Sequence, residues 1–95
     1  MNLKYSREVR ERIRTLPPEI KRGIKTLLEG LAEDPYLGKP LQMELDGFWS
    51  VAYKRYRLIY KIVTSKKEIL IYTLGHRREI YEEVARAVML GTGVR

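Results

Sequence analysis

Cysteine is absent from this chain of 95 residues, and histidine occurs once, at position 76. The first absence excludes disulfides and thiolate metal centres, and a lone imidazole cannot supply the other ligands of a zinc site. No metal and no other cofactor is therefore expected. Long apolar runs are also missing: none approaches the roughly 20 residues of a membrane helix, and the charged N-terminal stretch lacks the apolar centre of a signal peptide. A cytoplasmic protein without membrane contact is the expectation. Acidic residues are outnumbered, 12 against 19 Lys plus Arg, which gives a net charge of +7 and a pI near 9.8. That balance favours polyanionic partners, either nucleic acid or an acidic protein.

What is present suffices for one small domain over residues 1–95, since 44% of the chain is hydrophobic and no repeat, low-complexity tract or linker divides it. Leu3 and Tyr5 alternate with polar neighbours as in a short edge strand. Ser6 is placed to cap a helix carrying Val9, Ile13 and Leu16 on one stripe, which ends before Pro17. Pro18 and Glu19 suit a second helix start, after which Ile20, Ile24, Leu27, Leu28 and Leu31 form an apolar stripe closed by Asp34-Pro35. The two helices form a hairpin that must lay its stripes on a sheet.

The sheet follows in sequence. Leu41, Met43 and Leu45 alternate with polar residues, Asp46-Gly47 offers a tight turn, and a strand is expected from Phe48 to Lys54. Further strands are read at Tyr56–Val63 and Glu68–Leu74, separated by the polar turn Thr64-Ser65-Lys66-Lys67. A last helix places Ile80, Val84 and Val88 on one stripe. The predicted fold is α+β: an N-terminal helical hairpin packed on a mainly antiparallel four-stranded sheet, with a C-terminal helix. Period two turns Leu58, Tyr60 and Ile62, together with Trp49, Val51 and Tyr53, toward the helices. Lys54 and Arg57 then share an open face, and the odd set Ile69, Ile71 and Thr73 leads the chain out beside them. Trp49, Tyr53, Tyr60 and Tyr72 read as core aromatics.

The chemistry concentrates in Leu74-Gly75-His76-Arg77-Arg78-Glu79-Ile80-Tyr81, where an imidazole, two guanidiniums and a phenol fall between the last strand and the last helix. Gly75 frees the backbone to turn there. Such a cluster suits a phosphodiester, although a charge run at a helix start is by itself only a solvated face.

The order and spacing of Tyr56-Arg57-Leu58-Ile59-Tyr60, then Leu74-Gly75-His76-Arg77, then Tyr81 resembles the RelE branch of the RelE/ParE toxin superfamily over nearly the whole chain. The resemblance implies a helical hairpin on an antiparallel sheet, and a toxin that cuts messenger RNA in the ribosomal A site unless an acidic, RelB-like antitoxin wraps around it. It implies the ribosome, messenger RNA and that antitoxin as partners of a chain that is monomeric when free. Carried over by position, Arg57 matches the arginine of the central strand, Arg77 the arginine after the glycine, and Tyr81 the tyrosine of the C-terminal helix. His76 stands where related sequences carry Lys. Ser50 and Ala52 stand where the best-known member has two lysines, which leaves the general base unassigned.

Metal-independent RNA cleavage uses the 2′-hydroxyl as nucleophile, so the protein must favour its deprotonation, neutralise the phosphorane and protonate the leaving 5′-oxygen. Arg57 and Arg77 are the candidates for charge stabilisation, because guanidinium stays charged and pairs two phosphate oxygens. Tyr81 orients a base or stacks on a nucleotide, a free phenol being a poor base at neutral pH. His76 is the acid or base candidate, since imidazole titrates near neutrality, against the plainer reading of a surface or capping residue. Lys54, Lys61, Arg55, Tyr56 and Arg78 are the RNA-binding candidates, with Tyr56 as the stacking platform. Two other functions fit the same residues: a ParE-like toxin that inhibits DNA gyrase, and a noncatalytic basic module that binds nucleic acid or protein.

Overall fold

The computed structural model describes residues 1–76 and 79–89. It comprises strand β1 (Asn2–Tyr5), helices α1 (Arg7–Arg14) and α2 (Pro18–Glu33), strands β2 (Lys39–Pro40), β3 (Phe48–Tyr53), β4 (Tyr56–Val63) and β5 (Glu68–His76), and helix α3 (Glu79–Met89). The α+β class and the helical hairpin are as expected. The sheet has five strands, ordered β1-β5-β4-β3-β2, where four were predicted. It is antiparallel except that β1 runs parallel to β5, from Asn2 opposite Glu68 to Tyr5 opposite Ile71.

Local chemistry accounts for the helix ends. The Ser6 side chain accepts the Val9 N–H at 3.2 Å and so satisfies one of the free donors of the first turn. Pro18 opens α2, where a missing N–H costs nothing, and Asp34 ends it while its carboxylate caps the short turn Pro35–Leu37. The Thr64–Lys66 turn between β4 and β5 closes on Lys67 in a left-handed conformation, φ 54°.

One predicted strand is overturned. The alternation Leu41, Met43, Leu45 is not a strand: Met43–Leu45 form a single 3₁₀ turn, and the pairing with β3 is confined to Lys39–Pro40 and one bond from the Leu41 N–H to the Phe48 carbonyl, at 2.8 Å. Leu41 and Leu45 both pack against the core beneath α3, while Met43, between them at φ 57°, is exposed. The apolar spacing thus comes from two ends of a tight turn dipping into the same core. Gly47, at φ 94°, supplies the backbone conformation that the return into β3 requires.

The sheet is covered on both sides, and β4 at its centre carries Leu58, Ile59 and Tyr60, all fully buried. On the hairpin side, Val9, Ile24, Leu28 and Leu31 meet Val51, Leu58, Tyr60, Ile69, Ile71 and Leu74. On the opposite side, Phe48 and Ile59 meet Ile80 and Val84 of α3. The predicted hairpin-facing sets on β3 and β4 are therefore correct, but the face opposite is not an open concave surface, because α3 lies on it. The odd residues Ile69 and Ile71 of β5 also face the hairpin, contrary to expectation. The register between β4 and β5 shifts at Ile59 and Tyr60, whose partners are Thr73 and Ile71, so Tyr72 is an extra residue that interrupts the period of two.

Tyr60 anchors the entry to β2. Its hydroxyl donates to Pro35 O at 2.8 Å and accepts the Gly38 N–H at 3.1 Å. Burial holds the phenol above its ordinary pKa, the Gly38 hydrogen bond opposes that rise, and Asp34 adds to it. Burial raises the Tyr72 phenol in the same direction.

Candidate functional site

Phe48, Ser50 and Ala52 of β3 stand opposite Lys61, Ile59 and Arg57 of β4, in that order, on the α3 side of the sheet. Ser50 is 8% exposed, and its hydroxyl lies 2.9 Å from the Tyr81 hydroxyl. A strand on one side and a helix on the other thus hold this hydroxyl pair, with Ile80 and Val84 fixing the helix by burial. Tyr81 is both a core residue and a hydrogen-bonded one, since its ring packs against the same cluster.

Arg57 lies between Ala52 on β3 and Gly75 on β5. Both neighbours are small, and a Cβ at Gly75 would stand 3.0 Å from Ile80 Cδ1, so the glycine admits the start of α3 close to the arginine's strand. Gly75 does this from within β5, which continues to His76, rather than by breaking the strand as expected. The Arg57 Nε is buried and has no hydrogen-bond partner among the described residues. One of the guanidinium's five donors is thus left without a partner by the fold.

Lys61 is half-buried on the same side, its ammonium 5.4 Å from the centre of the Phe48 ring. It stands four positions along β4 from Arg57, roughly 13 Å of strand, so the two cations bracket the Ser50–Tyr81 pair. Arg57, Lys61 and Tyr81 are the predicted residues that the fold brings to one side of the sheet.

The other candidates distribute differently. Lys54 is not in a strand but in the turn after β3, at φ 54°, with its ammonium 5.6 Å from the Tyr53 ring, which packs on the hairpin side. It therefore does not share a face with Arg57. Arg55 is exposed in the same turn. Tyr56 is the first residue of β4, is packed against the hairpin core, and pairs across the sheet with His76, their rings 4.9 Å apart. Opposed residues share a face, so His76 sits with Tyr56 on the hairpin side, away from Arg57. Arg77 and Arg78 lie outside the described residues. Among the described residues, no group of three or more His, Cys, Asp or Glu is arranged to hold a metal ion, and no helix is long and apolar enough to cross a membrane.

Two residues that sequence reasoning did not single out support the site. Ser50 was visible only as a departure from the two-lysine pattern, and its role as the partner of Tyr81 depends on where α3 docks. Arg12 donates to Thr73 Oγ1 at 2.9 Å, to the Leu74 carbonyl at 3.1 Å and to Glu83 at 3.1 Å. Strand β1 pairs with β5 only as far as Ile71, so Arg12 takes the place of a neighbouring strand beyond that point and ties α1 to both β5 and α3. An arginine adjoining the stripe Val9, Ile13, Leu16 was the available signal.

Comparison with known proteins places this architecture among toxins of type II toxin–antitoxin systems. Residues 3–81 match the family described as ParE toxin of type II toxin–antitoxin system, parDE. Toxin RelG of Mycobacterium tuberculosis is 32% identical over 81 residues, spanning 83% of this chain and 93% of RelG. The toxin–antitoxin complex RelBE2 from Mycobacterium tuberculosis superposes with a TM-score of 0.72 at 29% identity, over 80% of this chain and 96% of that one. The isolated E. coli RelE toxin shares the fold, with a TM-score of 0.69 at 20% identity, over 92% of this chain and 97% of RelE. The chain belongs to the RelE/ParE superfamily of type II toxin–antitoxin toxins.

Proposed function

We propose that this toxin is an endoribonuclease that cleaves messenger RNA in the ribosomal A site and thereby stops translation. The observation that carries the reading is Arg57, whose Nε is buried without a protein acceptor between two small residues, on the side of the sheet that also holds the Ser50–Tyr81 pair. A net charge of +7 adds long-range attraction to RNA.

In the reaction the 2′-oxygen attacks the adjacent phosphorus, the bond from phosphorus to the 5′-oxygen breaks, and a 2′,3′-cyclic phosphate and a 5′-hydroxyl result. Arg57 pairs with the nonbridging oxygens, whose charge grows in the phosphorane, and Arg77 is assigned the same role by sequence position. The 2′-hydroxyl gives up its proton as its oxygen attacks and the departing 5′-oxygen takes one up; Tyr81, held by Ser50, orients the nucleotide and relays that proton through its hydroxyl. Lys61 binds the adjoining backbone, as Arg78 does by its place in the sequence. Lys54, Arg55, Tyr56 and His76, which lie at the β3–β4 turn or on the hairpin side, contact RNA away from the scissile phosphate. A cognate acidic antitoxin of RelB type neutralises the toxin in the cytoplasm by covering the cationic side of the sheet.

The ParE description of the matching family favours a second reading, inhibition of DNA gyrase. One experiment separates them. The purified chain is added to translating ribosomes, with breaks mapped by primer extension, and in parallel to a gyrase supercoiling reaction. Cuts at ribosome-occupied codons with unaffected supercoiling support the nuclease. Intact messenger with blocked supercoiling supports the gyrase poison.

A further inference from the structure

On the α3 side of the sheet, beyond the Ser50–Tyr81 pair from Arg57, Lys61, Phe48 and Tyr72 form a cluster that the cleavage chemistry leaves largely unused. Phe48 is 3% exposed and stands opposite Lys61 in the register of β3 with β4. The Lys61 ammonium lies 5.4 Å from the centre of the Phe48 ring, and the Tyr72 ring meets that ring edge-on at 4.9 Å. Tyr72 belongs to β5, two strands away from Phe48, a separation of about 10 Å. Its side chain therefore reaches over β4 toward β3, the strand that carries Ser50. The irregularity in β5 makes this possible, because the extra residue adds Tyr72 to the face that packs with Phe48 and Ile59.

Both polar heads are left free. Lys61 and Tyr72 are each half-buried, and among the described residues neither the ammonium nor the phenol has a hydrogen-bond or ion-pair partner. The Phe48 ring steadies the Lys61 charge without occupying its donors, whereas a carboxylate would neutralise it. Gly47, exposed in the turn before β3, lies beside the lysine stem, where a Cβ would stand 3.8 Å from Cε, so the ammonium ends at the solvent edge of the core. Burial raises the Tyr72 phenol above its ordinary pKa and keeps its proton in place at neutral pH. The cluster thus presents an obligate donor, Lys61, and on the other flank of Phe48 a hydroxyl that donates or accepts.

We propose that Lys61 and Tyr72 read the Watson–Crick edge of a base beside the scissile phosphate, and select uracil and guanine, which carry a carbonyl there, over cytosine and adenine. The inference deepens the nuclease reading and rests on messenger RNA being the substrate. Uracil and guanine each present a carbonyl oxygen next to a ring N–H. Lys61 donates to the oxygen, and the Tyr72 hydroxyl accepts the N–H. Cytosine and adenine present the reverse, an amino group next to a bare ring nitrogen. The tyrosine adapts by turning its hydroxyl, but the ammonium has no lone pair and faces a second donor. Phe48 and Ile59 beneath the cluster are apolar and offer the amino group no acceptor. Two of the three ammonium donors stay available for the adjoining backbone, so both contacts coexist.

The test measures binding separately from cutting. Trinucleotides with 2′-O-methyl ribose lack the nucleophile and stay intact. Those of uridine, cytidine, inosine and adenosine are titrated into the isotope-labelled full chain, and dissociation constants are taken from the amide shifts. Uridine against cytidine, and inosine against adenosine, each exchange the carbonyl and ring N–H for an amino group and a bare nitrogen. Wild type is expected to prefer the carbonyl member of each pair about tenfold. Lys61→Met, which keeps a stem over Phe48, is expected to abolish the preference, and Tyr72→Phe, which keeps the ring packing, to reduce it about threefold. Equal binding of both members by wild type would overturn the proposal. So would a Lys61→Met protein that binds every trinucleotide more weakly with the preference intact, since that marks a lysine holding backbone alone. On ribosomes, wild type is expected to cut a messenger with uridine beside the cut faster than its cytidine counterpart, and Lys61→Met to cut both at one rate. Failure of wild type to cut either messenger defeats the nuclease reading alone, because the trinucleotides report on the subsite without turnover.

Discussion

The hydroxyls of Ser50 and Tyr81 lie 2.9 Å apart across the interface between the central sheet and the last helix. This hydrogen bond fixes the phenol relative to Arg57, two residues along the same side of the sheet. Tyr81→Phe removes the hydroxyl and leaves the ring's packing intact. Cleavage is expected to fall about a hundredfold, at the lower end of the range for a lost proton-transfer group, while stability changes by about 1 kcal/mol. Ser50→Ala is expected to produce a smaller loss of the same sign. Primer-extension rates and thermal melting measure the two effects.

Arg57 separates activity from stability. A buried donor without a partner costs about 1–3 kcal/mol, so Arg57→Met, which keeps the aliphatic stem, is expected to raise the melting temperature while abolishing cleavage. A trade of this sign is the mark of a residue kept for binding charge rather than for folding. Calorimetry of the variant beside wild type checks it, and a lowered melting temperature counts against the assignment.

Arg12 is expected to hold the last helix. Its ion pair with Glu83 is partly exposed and contributes little by itself. The bonds to Thr73 and the Leu74 carbonyl are part-buried and are worth about 1 kcal/mol each. Arg12→Ala should therefore destabilise the protein by about 2 kcal/mol and speed amide exchange in α3 more than in α2, whereas Glu83→Gln should change exchange only slightly. Hydrogen-exchange mass spectrometry resolves the two helices.

Alkaline stability should depend on Tyr60. Burial, the leading cause, raises its phenol above the ordinary value of 10.0. The unfolded chain therefore ionises first, and this stabilisation is complete below about pH 10 and is lost as pH rises through the folded value. Tyr60→Phe should lower stability at neutral pH by about 1–3 kcal/mol, because Gly38 N–H and Pro35 O lose their partner. It should also flatten the decline above pH 10. Denaturant titrations at pH 8 and pH 11 measure both.

The sequence was a good guide wherever the determinant was local. Ser6 and Pro18 start the helices as their chemistry requires, and period two sorted Leu58 from Ile59 correctly because no irregularity interrupts the first half of β4. It failed where distant parts of the chain decide. The parallel pairing of β1 with β5 joins the two ends of the domain, Asn2 to Glu68, and leaves no local trace. The extra residue at Tyr72 reverses the parity of β5 without a glycine or proline to mark it. Leu41 and Leu45 imitate a strand because both ends of a turn meet the same apolar surface. At the site, Arg57, Lys61 and Tyr81 were legible from pattern and resemblance, but the separation of His76 and Lys54 from Arg57 follows from a register and a turn conformation that composition does not encode. Ser50 looked like a missing lysine and is instead the partner of the tyrosine.

The most direct test of the central claim is the single-turnover cleavage rate of ribosome-bound messenger by wild type and by Arg57→Ala, with ribosome affinity measured alongside. The expected result is a rate reduced on the order of a hundredfold to a thousandfold at nearly unchanged affinity. Cleavage by Arg57→Ala at the wild-type rate would contradict the account.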